Sequence, residues 1–287
     1  MQVAFHVGIH GSDEDRVLQW LSLNEALLTA RRVEVPPREV EEPILNEALA
    51  SLKGGVASPE MEEVVCDAML AGEETERLVI SRASLMGRPR RSVDSEGLLT
   101  GAGDRMRALG NVFPSAQCSF FLALKNPATY IPDLLARVHD ASELRIDLAS
   151  LRWFDSVQRM VQALGQARLV VWCNEDTPLI LPEVMRRMTG LDGHEPLPGD
   201  MAAAERVLNP KGVAVLRRRL AKAGTIDVAA RRALTEEVLA EMHDPEALRL
   251  KVDMPGWTQD VIDRITADYD ADVAAIAALP GIEFIAP

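Results

Sequence analysis

Four short apolar runs punctuate the chain, at residues 3–7, 78–80, 118–124 and 169–172. The last three are nearly unbroken rather than alternating, the pattern of strands covered on both faces as in a parallel sheet. Between the runs, apolar residues return at helical spacing. Residues 13–31 carry Val17, Leu18, Leu21, Leu27 and Leu28 on such a pattern. Residues 43–53 and 59–71 each open on a proline, favoured in a first helical turn, and run into Gly54 and Gly72. Residues 102–112, 128–138 and 154–164 follow the same logic. Strands alternating with helices predict βαβ units and a doubly wound, mainly parallel sheet.

Beyond about residue 178 the periodicity is helical, at 183–188, 210–223, 228–242 and 258–279, with a short closing strand at 282–285. This predicts one domain over 1–287, made of an α/β core (1–177) and a helical C-terminal cap (178–287). Residues 88–103 mix Arg, Ser, Asp and Gly without a period and read as a loop. No internal repeat or low-complexity tract interrupts the pattern.

With 287 residues, 47% of them hydrophobic, the chain can bury a large core; aromatics are 4%, so that core rests on Leu, Val, Ile, Ala and Met. A net charge of −13 argues against a duplex nucleic-acid partner but leaves room for a local basic pocket. Cys66, Cys118 and Cys173 are odd in number and widely spaced, which points away from a disulfide framework or a zinc site. Cys118 and Cys173 lie in strand-like runs and read as buried thiols. The opening residues lack a basic n-region and a long apolar stretch, so no signal peptide is expected, and no apolar run approaches a membrane span. A globular protein of the cytoplasm is the expectation.

The stretch with most chemical content is Val7-Gly8-Ile9-His10-Gly11-Ser12-Asp13-Glu14-Asp15-Arg16, where the first strand turns into the first helix. In α/β sheets phosphates bind at such turns, because free amides and the helix dipole point at them. Gly8, Ile9, His10 and the later Leu18-Gln19 make this segment similar to the bacterial sulfotransferase family, which uses 3′-phosphoadenosine 5′-phosphosulfate and has a P-loop-type fold. That resemblance implies donor contacts from His10, Gly11 and Ser12. The family's Lys-Thr-Gly-Thr-Thr core is replaced here by Gly11-Ser12-Asp13-Glu14-Asp15-Arg16. Ser12 with Asp15 forms a capping-box pattern, with Asp where Glu or Gln is usual. First-turn carboxylates gain roughly 0.3–1 kcal/mol each from the dipole. A carboxylate facing a phosphate costs several kcal/mol at an effective dielectric of about 20.

Further along, Lys125-Asn126-Pro127 resembles the family's Arg-Asn-Pro strand end, whose arginine contacts the donor's 3′-phosphate. Lys125 keeps the charge without the bidentate fork. The family's serine beyond it is replaced around Pro132 and Asp133. Ser81 and Ser84 resemble serines ending the family's second strand, and Trp172–Asp176 and Trp257–Leu279 are also similar to family segments.

His10 reads either as a structural loop residue or as a base or ligand beside the turn, and His6 as a core histidine. His139, His194 and His243 pair with no evident nucleophile. The basic run Arg88-Pro89-Arg90-Arg91 is a solvated loop or an anion dock; Arg217, Arg218 and Arg219 read as surface charge. Asp268, Asp270 and Asp272 diverge around a helix and cannot share a metal. The expected protein is a degenerate sulfotransferase-like one, non-catalytic or repurposed for binding. Two alternatives remain: an active enzyme with an atypical donor site built on Lys125 and Arg88–Arg91, and an assembly subunit that binds a protein partner through its helical cap.

Overall fold

The computed structural model describes residues 1–12, 14–72, 74–138, 146–191, 195–249, 252 and 254–287. In chain order, β1 (Gln2–His6) is followed by α1 (Glu14–Leu23), α2 (Glu25–Ala30), β2 (Val33–Glu34), α3 (Arg38–Leu52), α4 (Pro59–Met69) and β3 (Arg77–Ser81). A hairpin of β4 (Val93–Asp94) and β5 (Gly97–Leu98) precedes α5 (Ala102–Gly110), β6 (Gln117–Leu124), α6 (Pro127–Leu135), α7 (Trp153–Leu164) and β7 (Arg168–Cys173). The remainder holds α8 (Thr177–Thr189), α9 (Ala202–Val207), α10 (Pro210–Ala223), α11 (Val228–Met242), α12 (Gln259–Ala277) and β8 (Ile282–Ile285).

The main sheet has six strands in the order β2-β3-β1-β6-β7-β8, and every pairing in it is parallel. Alternate residues of each inner strand feed two separate cores. Phe5, Ile80, Phe120, Leu122 and Val171 face one core, while Ala4, Val79, Phe121, Ala123 and Trp172 face the other. Both sets are apolar, which is why the sequence runs are unbroken. Residues of α3 to α7 and α12 cover the first face, and residues of α1, α2 and α8 cover the second. The α/β, doubly wound expectation therefore holds.

Several boundaries differ from the sequence reading. The single helix expected over 13–31 breaks at Asn24, whose side-chain amide donates to the carbonyls of Trp20 at 2.8 Å and Pro198 at 2.9 Å. Helix α3 starts after Pro37 and carries Pro43 inside it. The 88–103 segment is not an open loop. The Asp94 carboxylate accepts from the backbone N–H groups of Glu96 at 2.8 Å and Gly97 at 3.2 Å, which closes the β4–β5 turn, while Val93, Leu98 and Leu99 reach the core.

The 178–287 segment does not gather into one cap. Apolar residues of α8, such as Ile180, Val184 and Met188, join the core on the α1 face. Ile265, Tyr269 and Ile276 of α12 join the opposite core, and β8 extends the sheet beside β7. The apolar stripes of α8 and α12 are drawn to the sheet because it offers more surface to bury. Helices α9 to α11 gather around a small core of their own, Ala204, Leu208, Leu216 and Val238. Of these, α9 and α11 pack against α8, and Ala203 of α9 reaches the sheet-facing core.

Candidate functional site

From β1 at the centre the chain builds β2 and β3 on one side, then β6, β7 and β8 on the other. The carboxyl ends of β1 and β6 therefore flank the switch point, where open α/β sheets hold ligands. Two turns meet there: the one after β1, carrying His10, Gly11 and Ser12, and the Lys125-Asn126-Pro127 turn after β6.

Of the four expected donor contacts, Gly11 and Lys125 come together. The Lys125 ammonium donates to the Gly11 carbonyl at 2.8 Å and forms an ion pair with the Asp133 carboxylate of α6. Lys125 is 8% exposed. Gly11 has φ of +87°, and a Cβ there would lie 3.4 Å from the Asp133 Cβ, so glycine lets this carboxylate close against the turn. The exposed Arg137 also approaches, its Nε 3.7 Å from the same Cβ position. Ser12 turns inward, its hydroxyl donating to the Ile9 carbonyl at 2.9 Å. His10 turns away: its Nε2 lies 3.0 Å from the Gly87 carbonyl. A carbonyl can only accept, so that nitrogen carries the proton. Asp13 and the side chain of Glu14 lie outside the described residues.

The turn after β6 is satisfied internally. The Lys125 carbonyl accepts from Trp153 Nε1 at 2.8 Å. The Asn126 N–H donates to Glu175 Oε1 at 2.8 Å, and the other Glu175 oxygen accepts from the Tyr269 hydroxyl at 2.9 Å. Burial and the Glu175 charge hold that hydroxyl far above the usual phenol range, so it stays a donor. The Asn126 side chain caps α6 through the Ala128 N–H at 2.9 Å and donates to Thr266 at 3.0 Å. Sequence reasoning missed Glu175 and Asp133 as partners of this turn. The cue was the charge itself: an acid just after β7, and another within α6 beside the turn.

Beneath the first turn lies His6, fully buried. Its Nδ1 is 2.8 Å from the Ser81 hydroxyl and its ring stacks on Trp172 at 6.0 Å. Its Nε2 has no hydrogen-bond partner among the described residues, so His6 is a core histidine only half satisfied. His6 and Ser81 are register partners across β1 and β3. Burial lowers the His6 pKa to about 4. A ring this weakly basic accepts a serine proton poorly, so the Ser81–His6 contact reads as architecture. Next to it, buried Arg82 pairs with Glu41 at 3.3 Å and Glu42 at 2.7 Å, and burial raises the Glu41 pKa to about 7.

The remaining candidates scatter. The His10–Gly87 contact draws the segment before Arg88–Arg91 to the first turn. Arg217 pairs with Glu205, and Arg219 with Glu237 and Glu241. Of the late aspartates, Asp272 is buried and accepts from the backbone N–H of Trp153 at 2.7 Å and from Arg152 Nε at 3.0 Å. Burial pushes the thiols of Cys118 and Cys173 up to about 12, which keeps both protonated; Cys118 is only partly buried. His243 contacts the Leu239 carbonyl at 3.0 Å, whereas His139 and His194 lie outside the described residues. No described helix is long and apolar enough to cross a membrane. Compared with protein-family models and with curated proteins, the chain matches no family model and no curated relative.

Proposed function

We propose that this chain is a non-catalytic, repurposed relative of the P-loop-type sulfotransferases. In this reading it is a binding protein whose own carboxylates stand where the family places donor phosphates. The observation that carries the reading is the internal occupation of the switch-point turns. Asp133 neutralises Lys125 against Gly11, and Glu175 takes the N–H that opens α6. An incoming phosphosulfate would have to displace both carboxylates or sit beside them, and the repulsion is worth several kcal/mol at an effective dielectric of about 20. Thermal unfolding with 3′-phosphoadenosine 5′-phosphate tests this. A ligand at about 100 times its dissociation constant stabilises by roughly 2.7 kcal/mol, several degrees for a chain of this size. No shift at millimolar nucleotide is expected, and a clear rise arising at this turn would overturn the reading.

One observation favours an alternative, an active sulfotransferase with an atypical donor site. The His10–Gly87 contact holds the segment leading into Arg88–Arg91 against the turn, so guanidiniums could replace the missing lysine. On this alternative Lys125→Ala weakens nucleotide binding by about 1.5–3 kcal/mol, the size of a charge-assisted hydrogen bond. Absence of nucleotide binding in the parent removes it.

A further inference from the structure

At the opposite end of the sheet, where the strands begin, a cleft of about 660 Å³ opens between the ends of α5 and α7. Arg77, Arg107, Arg168 and Arg187 line it, and no acidic side chain does so among the described residues. In a chain of net charge −13, a cleft walled by arginines alone among the charged types is a departure that needs a cause. Apolar surface from Leu164 and Ala167, both only partly buried, completes the wall.

Arg107 pairs with Asp104 at 2.6 Å, but the other three arginines meet fewer carboxylates than they number. Arg168 and Arg187 both reach Glu283. Arg187 also approaches Glu183 at 3.5 Å, but Glu183 is engaged by Arg232 as well. Arg77 pairs with no carboxylate among the described residues. It donates to the Met188 carbonyl at 3.3 Å and to the Gln2 side chain, which leaves most of its five N–H donors without a partner among the described residues. Its guanidinium is held below its ordinary value by burial and then by the charge of Arg168, so these two cations crowd each other. Gly190 keeps Arg77 in place, because a Cβ there would lie 2.6 Å from the Arg77 Nε. The negative end of the α8 dipole accounts for Arg77 as a helix cap, but not for Arg168 across the opening.

We infer that this cleft binds a small organic anion, an oxyanion group carried on an apolar body, with Arg77 and Arg168 gripping the charge. The oxyanion satisfies guanidinium donors that the fold leaves open, and the apolar body lies along Leu164 and Ala167. The inference is independent of the switch-point reading, since it concerns the other edge of the sheet.

Calorimetric titration of the full chain at low salt with phenyl phosphate, inorganic phosphate and phenol tests it. Saturable one-site binding of phenyl phosphate is expected, tighter than either fragment alone. Arg168→Gln, at a half-exposed position that tolerates the change, should weaken it roughly tenfold or more. Arg77→Gln should do the same, with its fold checked by unfolding because it also caps α8. Arg249→Gln, which alters net charge equally outside the cleft, should leave affinity unchanged. Absence of saturable binding, affinity for phenol equal to that for phenyl phosphate, or indifference to both arginine variants would overturn the inference. The same variant separates the two sites: a thermal shift with 3′-phosphoadenosine 5′-phosphate that vanishes in Arg168→Gln reports this cleft, whereas one that persists reports the switch-point turn.

Discussion

Lys125 and Asp133 form the smallest unit on which the functional reading turns. Lys125 is almost wholly buried, and Asp133→Asn strips it of its counter-charge while leaving the bond to Gly11. The variant should unfold several degrees lower, a loss of about 1–3 kcal/mol. Added inorganic phosphate should restore part of that loss in the variant but not in the parent. Two other buried groups set opposite pH trends. His6, lowered from 6.5 to about 4, binds fewer protons folded than unfolded, so its contribution is present above 6.5 and lost as pH falls towards 4. Glu41, raised from 4.5 to about 7, binds more protons folded, so its contribution is present below 4.5 and lost as pH rises through 7. Urea unfolding across this window should separate them. Relative to the parent, His6→Asn fares better the more acid the buffer, whereas Glu41→Gln costs most in acid and least above neutrality.

At the scale of elements, the packing between α5 and α7 depends on Gly103. A Cβ there would lie 2.9 Å from that of Ala163 and 3.0 Å from the Arg159 carbonyl, so the helices touch through bare backbone. Gly103→Ala should cost about 1–3 kcal/mol despite the better helix propensity of alanine, which denaturant unfolding would register. The start of α7 depends on a residue far away in sequence, since Asp272 accepts from the Trp153 N–H and from Arg152. Asp272→Ala removes a buried carboxylate that serves as a cap, and a loss of about 2–4 kcal/mol is expected. Such pairs explain what the chain could and could not disclose. Strands β1, β3, β6 and β7 were legible because both of their faces meet apolar cores. Strand β2 has two residues and no period to read. The β4–β5 turn rests on the Asp94 carboxylate, a feature a loop shares. At the site, the charge of Lys125 and the acids around it were visible as residue types. Their pairing was not, because it depends on strand order, which brings Gly11, Lys125 and Glu175 together from three separate crossovers.

For the whole molecule, the division into two sheet-facing cores and one small helical core sets a hierarchy of stability. The α9–α11 unit has few fully buried apolar residues of its own and is joined to the rest partly by ion pairs of Asp200 with Arg186 and Arg231. Hydrogen exchange should find the amides of α10 and α11 opening at lower free energy than those of β1 and β6; equal protection would mean that the unit unfolds with the sheet. The placement of β8 has another consequence, one that concerns birth rather than function. Strand β7 is complete at Cys173, but the strand that covers its outer edge begins at Ile282. At a synthesis rate of about 5–20 residues per second, a nascent chain carries that apolar edge uncovered for on the order of ten seconds. During that interval neighbouring nascent chains on the same message can pair edge to edge, so slow codons or truncation upstream of β8 should favour inclusion bodies, and chaperone capture should concentrate on this stage of synthesis.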